Sequence, residues 1–415
     1  MSDQWEMRAV GPRIHELAKS TLPAGLADPQ GAYPFYCSSP DVKRIDRVLT
    51  DMPAVMMGTG GLASVHYASE PFAYSTDTWA FTSRDAQTDL RFLYRQFERL
   101  LPKIDFLGFG GSGLRHLSKD FIRQMVLPSP SPEVQSKIAR VLDTLDAAIV
   151  QTEAIIAKLK AVKQGLLHDL LTRGIDANGE LRPLQSEAPQ LYKQSAMGWI
   201  PGEWKIGALR CWLADKPRNG YSPQEAGEWT GVQMLGLGCL TNEGFEPVQL
   251  KPAPRGDKRL ATVMLADGDL LMSRSNTRDL VGLAGVYRDV GTSCTYPDLM
   301  MRLRTSPETS GEFMQFVLRS PRLRRQIQAN AVGTSGSMVK ISGRIVCDLL
   351  TAMPLKAEQE RILSCLAAGN STISAEAERS LVLRDLKSGL MDDLLTGRVR
   401  VAPLLAEAET ERECA

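Results

Sequence analysis

The chain has 415 residues and a mass of 45.6 kDa, and at about 150 residues per domain it divides into two or three domains. With 43% hydrophobic and 23% charged residues it reads as globular, and no apolar run or leader points to a membrane span or signal peptide. Seven scattered cysteines without a Cys-x-x-Cys pair argue against a disulfide framework or zinc ribbon and fit a reducing cytoplasm, and 49 basic against 48 acidic residues give no sign of polyanion binding.

In chain order, residues 1–127 have strand-like texture. Ala54-Val55-Met56-Met57 is bounded by Gly58-Thr59-Gly60-Gly61, and apolar-polar alternation follows around Val65-His66-Tyr67. A short helix is predicted over Phe92–Leu101, followed by a glycine-serine loop, Gly110-Gly111-Ser112-Gly113. Ser131-Pro132-Glu133 then supplies an N-cap, a proline for the first turn and an early acid. Beyond it Ile138, Val141, Leu145, Ala148, Ile155, Leu159, Val162, Leu166 and Leu170 recur at gaps of three and four, interrupted by Thr152. This predicts a helix of about forty residues, roughly 60 Å long, closed by Gly174.

Asp176–Gln194 reads as a linker. A second globule over 200–350 contains Val263-Met264-Leu265, a turn at Asp267-Gly268-Asp269, then Leu270-Leu271-Met272 and Val281–Tyr287. Another short helix is expected over Phe313–Ile327, followed by the loop Gly333-Thr334-Ser335-Gly336-Ser337. The second long helix carries Ile362, Leu366, Ile373, Leu383, Leu386, Leu390 and Leu394, with a weak middle at Gly369-Asn370-Ser371-Thr372. The two helical stretches are one repeat. Pro130–Thr172 and Pro354–Thr396 align without gaps at an offset of 224, with about thirteen of forty-three positions identical. Two such seams most simply bury each other; the alternative is that each packs on its own globule. The second globule, with 20 basic and 16 acidic side chains over 186–350, is the more basic of the two.

No catalytic centre stands out. Phe106-Leu107-Gly108-Phe109-Gly110 fits a Phe-x-Gly-x-Gly S-adenosylmethionine loop, but the Asn/Asp-Pro-Pro-Tyr/Phe tetrapeptide that should accompany it is missing, so an ordinary glycine loop is the plainer reading. Asp41-Val42-Lys43 has the acidic-x-Lys end of many nuclease sites without a partner acid, the four histidines show no ligand spacing, and there is no Gly-x-x-x-x-Gly-Lys phosphate loop. Polar, basic loops remain. Arg274, Ser275, Asn276 and Arg278 lie in the stretch after a predicted strand, and Lys340, Ser342 and Arg344 follow the second glycine loop. In the first globule Arg115, His116, Lys43, Arg44, Arg84, Tyr33 and Tyr36 are the comparable residues. These side-chain types read base edges and phosphates; solvated surface charge is the plain alternative for each.

The doubled pattern resembles the specificity subunits of type I restriction-modification systems. Leu127-Pro128, Gln135-Ser136-Lys137-Ile138 and Leu170-Leu171-Thr172 match the family signature. It recurs as Met353-Pro354, Glu358-Gln359-Glu360-Arg361-Ile362 and Leu394-Leu395-Thr396-Gly397. Met197-Gly198-Trp199-Ile200-Pro201-Gly202-Glu203-Trp204 looks like the start of a target recognition domain, and Gly31-Ala32-Tyr33-Pro34-Phe35-Tyr36 resembles another subtype's equivalent. The first copy departs from the pattern: Glu133 and Gln135 are separated by Val134, and the Gly-Trp-Ile-Pro start is absent.

The resemblance implies an α+β fold of two tandem pseudo-repeats, each a globular α/β recognition domain followed by a long helix, with the helices paired as an antiparallel coiled coil. The implied boundaries are recognition domains over 1–127 and 198–350, helices over 128–175 and 351–400, a linker over 176–197 and an acidic tail over 401–415. It implies a non-catalytic, cytoplasmic subunit binding a two-part double-stranded DNA site, with no membrane and no cofactor or metal of its own. Two modification subunits and restriction subunits would bring S-adenosylmethionine, ATP and Mg. Gln135, Ile138, Leu142, Lys163, Gln359, Ile362, Leu366 and Lys387 are the candidate partner-binding positions on the helices. A self-contained S-adenosylmethionine-dependent DNA methyltransferase and a non-catalytic coiled-coil scaffold are the competing readings.

Overall fold

The computed structural model describes residues 5–111, 113–333 and 338–400. The tail 401–415, Ser112 and Thr334–Ser337 of the two glycine loops therefore lie outside the described residues. The chain forms two compact units, Met1–Ile156 with Ala375–Ala415, and Ala157–Ser374.

In the first unit an antiparallel sheet runs Ile14–Glu16, Thr78–Ser83, Ala54–Gly58, Val65–Ala68. A second sheet pairs Tyr33–Tyr36 antiparallel to Lys43–Ile45 and parallel to Ala73–Tyr74. Val55 and Met57 pack towards the helix Leu90–Leu107 with Phe81, Leu93 and Phe97, whereas Ala54 and Met56 meet Tyr36, Phe72 and Tyr74. Both faces of the central strand are covered, which is why it is an unbroken apolar run.

The second unit repeats this plan. Arg218–Asn219, Met300–Leu303, Leu270–Ser273 and Ala284–Val286 form the antiparallel sheet. Val232–Leu235 lies antiparallel to Leu250–Pro252 and parallel to Ser293–Thr295. A two-stranded ladder closes each globule at the start of its long helix: Glu6–Ala9 with Val126–Ser129, and Lys205–Ala208 with Leu350–Met353.

Three local expectations are corrected. Val263-Met264-Leu265 is not a strand, because Lys258–Val263 is a 3-10 helix and Met264 makes only a single bridge to Thr295. The helix expected over Phe313–Ile327 is two, Gly311–Arg319 and Pro321–Asn330. Pro321 forces Ser320 out of helical geometry, and Ser320 ends one helix while its hydroxyl caps the next. Within Asp176–Gln194 and just beyond, Tyr192–Ser195 forms a hairpin with Gly198–Pro201.

The long helices span Pro132–Thr172 and Lys356–Leu394 without a break. The weak segment Gly369–Thr372 stays helical, with the Thr372 hydroxyl donating to the Ala368 carbonyl at 3.2 Å. Buried and half-buried positions run Gln135, Ile138, Leu142, Leu145, Ile149, Thr152, Ile156, Leu159, Lys163, Leu166, Leu170, and recur 224 residues later from Gln359 to Leu394. That is a strict alternation of gaps of three and four. Ile155, Val162 and Leu386, expected on the seam, are instead exposed. In the first unit Ile138 and Leu142 share a core with Met391 and Leu394, and Asp146 pairs with Lys387 at 2.7 Å. In the second, Leu170 shares a core with Ile362 and Leu366. Within each unit the early part of one helix thus meets the late part of the other.

Candidate nucleic-acid interface

In the second unit, Leu270–Ser273 leads into Ser275–Asn276, which pairs antiparallel with Val339–Lys340. Ser275 lies directly opposite Lys340, so residues 65 positions apart share one ladder. The Arg274 backbone bridges that ladder to its surroundings, its N–H donating to Leu299 and its carbonyl accepting from Ile341, both at 2.8–2.9 Å. Its guanidinium donates to the Asp298 carbonyl at 3.2 Å. Asn276, Arg278 and Lys340 are at least partly exposed, and the Arg278 guanidinium donates to the Gln328 carbonyl at 2.7 Å. Arg324 donates to the carbonyls of Asp279 and Val281, fastening the loop to the helix Pro321–Asn330.

Ser275 does not belong on this surface. It is 1% exposed and its hydroxyl has no hydrogen-bond partner. Ser342 is a capping residue, accepting from the Ile345 N–H. Arg344 is 92% exposed and 3.9 Å from Asp348. Tyr221, Ser222 and Arg259 were not singled out by sequence. Arg259 stacks over the Tyr221 ring at 4.1 Å, and Ser222 bonds to Asp298 beside Arg274. Their separation along the chain left no motif to find.

In the first unit the matching place lies between residues 58–64 and the hairpin Phe109–Gly110/His116–Leu117, joined by a bridge between Gly60 and His116. Arg115 is there, but committed: it bonds to Asp105, and its guanidinium sits 5.5 Å from the Phe109 ring centre. The Ala63 N–H, burial notwithstanding, and Arg115 together hold the Asp105 carboxyl below its usual range. Arg84 stands at the other end of strand Thr78–Ser83, beside Arg13, so about 20 Å of strand separates it from this place. Lys43 and Arg44 are on an edge strand, where Arg44 donates at 2.6 Å to the carbonyls of Gly31 and Ala32. Tyr36 is buried edge-on against Phe72. In the second unit the ladder brings Arg274 and Asn276 to Lys340, whereas the first unit's candidates stay apart.

The glycine motif Phe106–Gly110 sits in the wrong context for S-adenosylmethionine. It leaves a helix and enters a hairpin strand, whereas such a loop leaves a strand and opens a helix. Among the described residues no group of three His, Cys, Asp or Glu could hold a metal ion, and no helix is long and apolar enough to cross a membrane.

The candidate partner positions are turned inward. Ile138, Leu142, Ile362 and Leu366 are core residues. Lys163 reaches Glu243 at 3.8 Å, and Lys387 reaches Glu98 and Asp146 at 2.7 Å. Arg95 joins that cluster, bonded to Glu98, Asp143 and Asp146; burial opposes its charge, but the hydrogen bonds to Asp143 and Glu98 more than offset this. Gln135 and Gln359 are buried clamps. Gln135 accepts from the Asp89 N–H and donates to Gln87 and Pro130; Gln359 accepts from the Ser310 N–H and donates to Glu308 and Pro354. Among their exposed residues the helices also carry apolar ones: Val150, Ile155, Val162, Leu381, Val382 and Leu386.

A doubled plan of sheet, clamp and long helix, with polar loops at matched ends, defines a tandem recognition-domain protein. Residues 5–161 match the family model for the type I restriction modification DNA specificity domain. The chain is 22% identical over 303 residues to the type I restriction enzyme MjaVIII specificity subunit of Methanocaldococcus jannaschii, covering 71% of this chain and 67% of that one. It is 24% identical over 335 residues to the EcoKI specificity subunit of Escherichia coli, covering 75% and 68%. Among solved structures, the type I restriction-modification S subunit from M. genitalium superimposes with a TM-score of 0.57 at 13% identity, covering 94% of this chain and 96% of that one. A chain from a study of complex assembly in the type I R-M system gives 0.53 at 14% identity, covering 96% and 99%. Over most of its length the chain is thus similar to specificity subunits of type I restriction-modification systems, and residues 5–161 match their DNA specificity domain.

Proposed function

We propose that this chain is the non-catalytic subunit that reads a two-part double-stranded DNA site for a cytoplasmic type I restriction-modification complex. The observation that carries this is the doubling: each unit has the same pair of sheets and the same ladder, and the loops after Gly58 and Ser273 occupy the same place in each. Each unit takes one half of the target, and the long helices, pairing as an antiparallel coiled coil, set the distance between the halves. The exposed Val150, Leu381, Val382 and Leu386 support docking of two modification subunits along these helices, with restriction subunits joining them. S-adenosylmethionine, ATP and Mg act on those partners. Partner contacts with phosphate account for a chain that is itself almost neutral.

The test is DNA retardation with and without a co-expressed modification subunit, alongside a methylation assay. A specific shift should need the complex, and the isolated chain should transfer no methyl group. Methyl transfer by the chain alone would favour the methyltransferase reading, and absence of any sequence-specific shift from the complex would favour the scaffold.

A further inference from the structure

In the second unit a cavity of about 260 Å³ opens between the end of the first long helix and the helices Gly311–Arg319 and Pro321–Asn330. Its floor is apolar, made by Leu167, Leu171, Ile200, Trp204, Phe313 and Val317, and His168, Arg322 and Arg325 stand at its edge. Arg322 is half-buried; burial first, and then the neighbouring Arg325, lower its proton affinity. Among the described residues no carboxylate lies within 4 Å of either arginine.

The first unit shows what the repeat does with the same place. There Asp392 occupies the position of His168, 224 residues on, and pairs with Arg99 at 2.7 Å. Met391, Leu395, Phe92 and Trp5 correspond to Leu167, Leu171, Phe313 and Trp204, and lie in or against one filled core. The first unit therefore supplies its own carboxylate. In the second the imidazole of His168 stands where that carboxylate would be, and two guanidinium groups face an open, apolar-floored cavity.

We propose that this cavity anchors an acidic peptide segment of a partner chain. One large apolar side chain fills it against Phe313 and Trp204, and a flanking carboxylate pairs with Arg322 and Arg325, the geometry that guanidinium forks recognise. The volume holds one large side chain, and the two guanidinium groups at the cavity's edge complement an acidic flank. The site is independent of the DNA-reading loops, so its failure and theirs can be told apart.

The experiment uses the full chain and fluorescein-labelled Glu-Phe-Glu-Glu, with Lys-Phe-Lys-Lys and Glu-Gly-Glu-Glu as controls, read by fluorescence anisotropy. The acidic phenylalanine peptide should bind at least tenfold more tightly than either control. His168→Asp, which copies the first unit, and the pair Arg322→Gln/Arg325→Gln should each weaken it tenfold or more. His168 and Arg325 are exposed, so an unchanged melting temperature and DNA shift check that these variants fold. Equal binding of the three peptides, or wild-type binding by both variants, overturns the proposal. So does saturable binding of anilinonaphthalene sulfonate, sensitive to the same variants, when the acidic peptide does not bind; the ligand would then be a small amphipathic anion.

Discussion

Gln135 holds Asp89: its buried side-chain carbonyl accepts a 2.9 Å hydrogen bond from the backbone N–H of the residue that caps helix Leu90–Leu107. Gln359 does the same for Ser310, also at 2.9 Å. In both, the amide nitrogen binds the carbonyl of a proline five residues earlier. The start of each long helix is thereby tied to the start of its globule's own helix.

Replacing either glutamine by alanine removes the partner of a part-buried N–H and of a buried proline carbonyl. Each change should cost roughly 1–3 kcal/mol, the penalty of an unmet buried hydrogen bond. Differential proteolysis should show Gln135→Ala loosening the first unit and Gln359→Ala the second. Equal sensitivity of both units to either change would refute a local clamp.

Glu358 is 3% exposed and accepts from Arg182, the Trp204 indole and the Ile175 N–H. Despite burial, the Glu358 hydrogen bond raises the proton affinity of Arg182. Arg182→Met strands a buried carboxylate and should lower stability by about 3–5 kcal/mol, and Arg182→Met with Glu358→Leu should recover most of it. Urea unfolding of the three proteins measures this; a double variant no better than the single would count against the pair.

His66 donates from Nε2 to the Ser39 carbonyl at 2.8 Å and lies 5.3 Å from the Tyr36 ring. Burial pushes its pKa below the ordinary 6.5, with the Ser39 bond opposing. The unfolded chain therefore takes up this proton first. Stability from this residue is complete above pH 6.5 and falls as the pH drops from there towards the folded value. Between pH 7.5 and 5.5 the urea midpoint should fall further for the wild type than for His66→Gln; parallel curves would exclude His66 as the cause.

Arg274→Ala and Arg278→Ala should each weaken DNA binding by about 1–3 kcal/mol if the side chain reads a base edge. A phosphate contact would instead weaken all sequences alike and make the salt dependence shallower. Titrations at several salt concentrations with cognate and scrambled duplexes separate these outcomes. Unchanged affinity in both variants would move the interface to Lys340 and Arg344.

If the long helices set the spacing of the half-sites, seven residues inserted after Ala154 and seven after Ala377 preserve the alternation of threes and fours. Each helix gains about 10 Å, roughly three base-pair steps. Selection from a random-spacer library should return the same half-sites with a longer gap. An unchanged gap would show that something other than the helices sets it.

Sequence alone determined the doubled order, the helix start at Pro132, the end near Gly174 and the 224-residue register, because caps, proline and heptad spacing act over a few residues. The face of the helix was harder to read. Two apolar rows run side by side, and Gly369, Lys163 and Lys387 on the true seam disguise it, so Ile155, Val162 and Leu386 looked buried. Only the tertiary structure decided which polar residues turn inward. Gln135 and Gln359 look like surface residues until Asp89 and Ser310 arrive from the globules. Arg182 meets Glu358 across 176 residues, and Ser275 meets Lys340 across a ladder. Such pairings depend on burial and on partners distant in the chain, and local spacing carries neither.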